Sequence, residues 1–230
     1  MKTRKNVVIL LVCFALVTIV FAGCNSNSKI KQNGMEKSTK ESKKVSIPRI
    51  HSFEKQKSVE IELPEIALSG INGANKEDRM EEFLYNLQEQ GVYFEDVYLN
   101  DMGTIVLLCN EEQYNAYLNF LESQINGAMD TGIVVTINDE FTHICYIITG
   151  ECTMTEYAML AFRMEGYSAM TQTVLGTPSK QWKVTHSLYY EDSDVVMLEY
   201  EFGAGISYEI TNEEWQQKME EAKELAEGDD

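Results

Sequence analysis

The stretch WKVTHSLYYEDSDVVMLEYEF, residues 182–202, decides the fold class. Trp182, Val184, His186, Leu188 and Tyr190 recur at every second position and share one strand face. Val196, Leu198, Tyr200 and Phe202 repeat the pattern after the polar link Glu191-Asp192-Ser193-Asp194. Period-two alternation on both sides of a short turn-forming link predicts an antiparallel hairpin with one buried face. Two more such pairs lie upstream. Residues 132–137 and 141–148 flank Asn138-Asp139-Glu140, and residues 92–99 and 104–108 flank Asn100-Asp101-Met102-Gly103.

A helix is expected before each pair and after the last. Asn75 with Asp78, Asn110 with Gln113, Thr153 with Glu156 and Thr211 with Glu214 each place a capping residue three positions before an acid or amide. An apolar period of 3.6 follows each: Met80, Phe83, Leu84 and Leu87; Tyr114, Tyr117, Leu118, Leu121 and Ile125; Tyr157, Leu160, Ala161 and Met164; Trp215, Met219 and Ala222. Such starts are specific because the cap side chain satisfies backbone N–H groups that the helix itself cannot. Gly91 and Gly127 read as stops of the first two helices, and the third runs towards Leu175, before Gly176 and Pro178. The expected fold is α+β: one antiparallel sheet built from three hairpins, each preceded by a helix, with a C-terminal helix and the helices covering one face. The three units share an order of elements without sequence identity, so no true repeat is assigned.

Charge divides the chain. It carries 19 Lys and Arg against 37 Asp and Glu, a net charge of -18. Residues 25–58 hold nine basic and three acidic residues, whereas residues 59–230 hold seven basic and 34 acidic. An acidic domain repels phosphate backbones, so nucleic acid is excluded as a partner. The acidity otherwise speaks to solubility and association, not to fold.

At the N-terminus, Lys2, Arg4 and Lys5 precede an apolar run from Val7 to Ala22, which ends in Phe21-Ala22-Gly23-Cys24. Positive charge, an apolar run and small residues at its end make the layout of a secretory signal. Ala22, Gly23 and Cys24 resemble the lipobox of bacterial lipoproteins, with Phe21 where Leu is more usual. That resemblance implies removal of residues 1–23 and lipidation of Cys24, with attachment to the extracytoplasmic face of the cell membrane. Each buried acyl CH₂ would contribute about 0.8 kcal/mol to anchoring. The competing reading is an uncleaved anchor helix with a chance cysteine. Residues 24–58, rich in Ser, Asn, Lys and Gln, read as a disordered basic tether, too poor in apolar groups to offset chain entropy. Residues 59–230 then form a single acidic domain, large enough to bury its own core.

The domain layout resembles a group of small uncharacterised lipoproteins of Gram-positive bacteria. The resemblance rests on Asp101-Met102-Gly103-Thr104 with Ile105 to Leu108 and the helix capped at Asn110, on Ile137-Asn138-Asp139-Glu140-Phe141-Thr142, and on the Met- and Tyr-rich segment Met159 to Met170. It spans roughly residues 75 to 202 and implies placement and fold, but no catalytic residue.

Signals for chemistry are sparse. HExxH, GxSxG, P-loop and calcium-loop patterns are absent. His143 and Cys145, two apart on a strand, point to one side and with Cys152 make three of the four ligands of a structural zinc site. The favoured reading of Cys145 is a small apolar core residue, because a structural zinc needs four ligands and only three can be named. Cys109, Cys145 and Cys152 are odd in number, which argues against a disulfide framework, although Cys145 and Cys152 could pair. His186, between Val184 and Leu188, reads as a core histidine. The pairs Glu81-Glu82, Glu111-Glu112, Glu191-Asp192 and Glu220-Glu221 read as solvated first turns and loops rather than catalytic carboxylates. Tyr85, Tyr93, Tyr98, Tyr189 and Tyr190 are candidates for a recognition surface. No catalytic, cofactor-binding or metal residue is therefore assigned, and Cys24 alone is assigned a role. Three functional expectations remain: a non-catalytic binding module of the cell envelope, an envelope enzyme using acidic residues with a divalent cation, or a purely structural or stress-related envelope component with no small ligand.

Overall fold

The computed structural model describes residues 44–53, 57–129, 133–191 and 193–227. Along them run β1 (Val59–Glu62), a 3-10 turn (Glu65–Leu68), α1 (Lys76–Glu89), β2 (Asp96–Leu99), β3 (Ile105–Cys109), α2 (Glu111–Ala128), β4 (Val134–Ile137), β5 (His143–Ile148), α3 (Met154–Val174), β6 (Lys183–Tyr190), β7 (Val196–Gly203) and α4 (Asn212–Glu227). The class is α+β, but the single antiparallel sheet is replaced by two. The first has strand order β1-β3-β2 and is antiparallel; the second has order β4-β5-β6-β7 and is mixed.

The mixed sheet follows from α3. Within it β4 pairs antiparallel with β5, and β6 with β7, while β5 and β6 run parallel, with Cys145 opposite Ser187. A parallel pair needs a crossover of a dozen or more residues. The 21 residues of α3 supply a rod of about 31 Å, long enough to carry the chain back to the start of the neighbouring strand. Strand β1 escapes the pattern reading because four residues of alternation, VEIE, sit between the polar tether and Pro64. It pairs with β3 along Val59 to Cys109.

The caps form as the residue types dictate. Asn75 accepts from the Asp78 N–H at 2.8 Å, Thr211 accepts from the Glu214 N–H at 3.1 Å, and α2 and α3 open with complete capping boxes. Gly127 lies within α2, which continues to Ala128, while Gly176 at φ +95° turns the chain sharply after α3. Gly203 is required by proximity: a Cβ there would stand 2.8 Å from the Trp182 carbonyl oxygen.

Helices α3 and α4 cover one face of the second sheet. That face buries Val135, Ile144, Tyr146, Ile148, Val184, Leu188 and Leu198. Tyr157 of α3 stacks on Trp215 of α4 with ring centroids 5.3 Å apart, and its hydroxyl bonds that of Tyr200 at 2.8 Å. Helix α2 packs on α3 and β3 through Tyr117, Leu118, Leu121 and Ile125, all fully buried. Each such apolar side chain contributes about 1.5–3 kcal/mol when removed from water.

The tether expected over residues 24–58 lies outside the described residues up to residue 43. Residues 44–53 are bound to the domain. Ile47 is only 1% exposed, the Val45 N–H donates to Asn126 Oδ1 at 2.8 Å, and the Ile47 N–H donates to Glu122 at 2.6 Å. Arg49 reaches the same carboxylate at 2.5 Å, and His51 and Phe53 pack on Tyr114. Composition assigns this stretch to the tether because it is polar on average, yet its few apolar residues suffice to dock it. Among the described residues no helix is long and apolar enough to cross a membrane.

Candidate functional site on the open face of the second sheet

Side chains that alternate with the buried set point away from α3 and α4. The register places Thr136, Cys145, Ser187 and Glu199 in one row across all four strands. A polar chain runs along that row. Thr136 hydrogen-bonds the Cys145 thiol, whose sulfur is 3.6 Å from His143 Nε2. His143 Nε2 is 2.9 Å from Ser187 Oγ, and the Ser187 hydroxyl donates to Glu199 Oε2 at 3.0 Å. Because that hydroxyl proton is directed to Glu199, Ser187 Oγ accepts, and His143 carries its proton on Nε2. Ser187 is fully buried beneath its neighbours, His143 and Cys145 are half-buried, and Thr136 and Glu199 are exposed. Burial and the nearby Glu199 charge push the Cys145 thiol up, so it is no activated nucleophile at neutral pH.

The turn before β5 fixes His143. Asn138 Oδ1 accepts from the N–H groups of both Thr142 and His143, at 2.8 and 2.9 Å. Phe141 between them is buried in the left-handed region at φ +60°, a conformation that costs a non-glycine residue about 1–2 kcal/mol. Gln172 of α3 holds this turn from below. Its amide donates to the Phe141 and Lys183 carbonyls at 2.7 and 2.9 Å, so it clamps the starts of the parallel strands together.

On the covered face lies a second, sealed cluster. His186, with no exposed surface, stacks between Tyr146 and Tyr200 with centroids 5.7 and 4.7 Å away. Glu165 of α3 approaches it, Oε1 to Nε2 3.3 Å, without the alignment of a hydrogen bond. Burial drives both groups towards neutrality: the Glu165 carboxyl is pushed up to about 8 and the His186 imidazole down to about 3. The contact at neutral pH therefore joins a carboxylic acid to a neutral imidazole rather than two charges. Glu165 is absent from the sequence reading, although its position four residues after Ala161 and three before Ser168 places it on the buried stripe of α3.

The remaining candidates fall elsewhere. Cys152 lies beyond the far end of β5 from His143 and directs its thiol to the Thr153 carbonyl at 3.6 Å, so the trio with His143 and Cys145 does not assemble. Cys109, Cys145 and Cys152 are all free. Cys109 is fully buried, and burial pushes its thiol up to about 12. Cys24 lies outside the described residues. Glu81, Glu82, Glu111, Glu112, Glu191, Glu220 and Glu221 are exposed. Tyr85 and Tyr93 are exposed and Tyr98 and Tyr189 half-buried, whereas Tyr190 is buried, only 6% exposed, and leaves the candidate surface. Among the described residues no group of three or more His, Cys, Asp or Glu side chains stands together as a ready metal cage. Two surface hollows, of about 520 and 240 Å³, lie against the first sheet beside β1 and β2, away from the polar row.

No family model, no curated protein and no solved structure matches the chain.

Proposed function

We propose that the chain is a lipoprotein of the cell envelope, cleaved before Cys24 and anchored there by lipid, whose domain binds a protein partner without catalysis. The anchor rests on the charged, apolar and small-residue sequence of residues 2–24. The observation that carries the binding function is the open face of the second sheet. It presents half-buried Ile147 and Tyr189 beside the row from Thr136 to Glu199, on the side of the sheet opposite the buried face that α3 and α4 cover. Aromatic and aliphatic groups ringed by polar ones are what a protein interface asks of its centre. Charge selects the partner. With 34 acidic residues against seven basic ones in residues 59–230, the domain repels anionic polymers and attracts a basic protein surface.

A photo-crosslinking residue at Tyr189 in the full chain tests the face, with one at the exposed Glu82 as control. The expected result is one adduct from position 189, with a basic protein and lost at high salt, and none from position 82. Identical adducts from both positions, or none, contradict the reading. A salt-insensitive adduct with a glycan removes the protein partner. For the anchor, Cys24→Ala is expected to abolish fatty-acid labelling.

The alternative of an envelope enzyme has one specific observation behind it. The half-buried His143 and Cys145 and the exposed Glu199 are the kinds of group a hydrolytic centre uses, but the raised thiol keeps the sulfur protonated and favours binding over nucleophilic attack.

A further inference from the structure

We infer that the outer edge of β7, at Glu199 and Glu201, takes an added β-strand from an extended segment of a protein partner in which Lys or Arg alternates with apolar residues. The inference rests on the basic protein partner proposed above. It assigns that partner to the edge of the sheet rather than to its face, so the two can fail separately.

The first observation is an open edge. Strand β7 ends the order β4-β5-β6-β7 and has a neighbour on one side only. The Ala204 N–H donates to the Trp182 carbonyl at 3.2 Å, one position beyond the Lys183–Gly203 pair of the register. Antiparallel alternation from that bond turns the N–H and C=O of Phe202 and Tyr200 towards β6 and those of Glu201 and Glu199 outward. Among the described residues no backbone group bonds to that edge at Glu199 or Glu201. The chain itself pairs there once, at Gly203, which exchanges bonds of 3.3 and 3.0 Å with Ile206, and then leaves the edge. At the other end Met197 is buried. The edge strand β2 of the first sheet is guarded, because the outward N–H of Val97 is taken by Asp96 Oδ1 at 2.9 Å. An unguarded edge is a template for another strand.

The second observation is how the side chains divide. Glu199 and Glu201 are exposed on the open face. The Ser187 hydroxyl donates to the first at 3.0 Å and Lys183 Nζ to the second at 2.9 Å. On the other side of the strand Tyr200 and Phe202 are half-buried. Tyr208, stacked on Tyr200 at 4.3 Å, and Ile206 extend that side and are exposed. One side of the edge is therefore acidic and the other apolar. An incoming strand alternates its own side chains between the same two sides. Basic residues then stand opposite Glu199 and Glu201, and apolar residues cover Tyr200 and Phe202. Opposite charges across a strand pair stabilise it and like charges destabilise it. The same rule disfavours a second copy of this chain, because two β7 edges set antiparallel about Tyr200 place acid against acid. Main-chain bonds supply affinity in strand addition, and the alternating side chains supply specificity.

The test uses the full chain in detergent and a short fluorescent peptide of alternating lysine and valine. Saturable binding, weakened by salt, is expected, with slowed hydrogen exchange at the Glu199 and Glu201 N–H groups. N-methylation of the peptide at the backbone positions that face β7 is expected to weaken binding by roughly tenfold or more. A peptide of alternating glutamate and valine is expected not to bind. Glu201→Pro removes an outward N–H and leaves the pairing with β6 intact, so it is expected to abolish binding without changing far-ultraviolet circular dichroism. Glu201→Gln keeps that N–H and is expected to weaken binding only severalfold. Wild-type chain that does not bind the lysine peptide overturns the inference with no variant needed. So does equal binding of the N-methylated or the glutamate peptide, or protection that appears away from Glu199 and Glu201. An adduct from position 189 with a basic protein, in a chain whose Glu199 and Glu201 amides stay unprotected by the peptide, refutes the edge alone.

Discussion

Glu165 Oε1 stands 3.3 Å from His186 Nε2 in the interior, with His186 0% and Glu165 7% exposed by side chain. Each is driven to its neutral form by burial, and the two act on stability with opposite signs. Glu165 is raised from 4.5 to about 8, so its unfolded form ionises first and stability is lost as pH rises between those values. His186 is lowered from 6.5 to about 3, so its contribution is full above pH 6.5 and is lost as pH falls towards 3. Glu165→Gln removes the first slope and keeps the second. Urea unfolding from pH 5 to 8 is expected to show wild type losing a few kcal/mol relative to the variant, each unit of pKa difference being about 1.4 kcal/mol. Parallel profiles would mean that the carboxyl is not held neutral.

Gln172 is expected to matter more than an ordinary polar residue of a helix. It donates to two strand carbonyls, accepts from the Lys183 N–H at 3.3 Å, and is 3% exposed. Gln172→Ala strands these buried backbone groups, at about 1–3 kcal/mol for each left unpaired. Denaturant unfolding measures the loss. Hydrogen exchange is expected to quicken at Thr185, whose N–H bonds the Thr142 carbonyl at 2.8 Å.

Glu122 gathers most of the polar contacts that dock residues 46–49. Burial acts against the charge of Glu122, but the bonds from Arg49 and the Ile47 N–H outweigh it and hold its carboxyl below the ordinary range. Glu122→Ala is expected to release this segment while the core stays folded. Limited proteolysis should then cut near Arg49 severalfold faster, with little change in far-ultraviolet circular dichroism. Unchanged cleavage would show that Ile47, the Val45–Asn126 bonds and the packing of His51 and Phe53 on Tyr114 hold it without Glu122.

The cap of α2 gives a sharper number. Asn110 Oδ1 accepts from the Gln113 N–H and the Gln113 side chain returns a bond to the Asn110 N–H, both 3.1 Å. Asn110→Ala is expected to cost about 1 kcal/mol, read from the midpoint of denaturant unfolding.

What was legible in the sequence was local. The four helix starts follow from side chains that bond their own backbone three residues on, and the alternation of residues 182–202 reports one buried face. What was not legible was long-range. The parallel pairing of β5 with β6 depends on the return path of α3, and the period of a strand carries no sign of its neighbour's direction. Strand β1 alternates over four residues only, too few to stand out beside the polar stretch before it. The same reasoning divides the site. His143 and Cys145 share a face by spacing alone, whereas Ser187 and Glu199 join them only through cross-strand register. Glu165 could have been found by following the stripe from Tyr157 through Ala161, where a carboxyl among apolar positions marks a buried acid.

The most direct test of the anchored domain is the intact mass of the native protein recovered from the membranes of the cells that make it. The account predicts a chain beginning at Cys24 and heavier than its amino acids by the attached acyl groups. A chain that retains residues 1–23 without added lipid, or a free form starting further downstream, would contradict it.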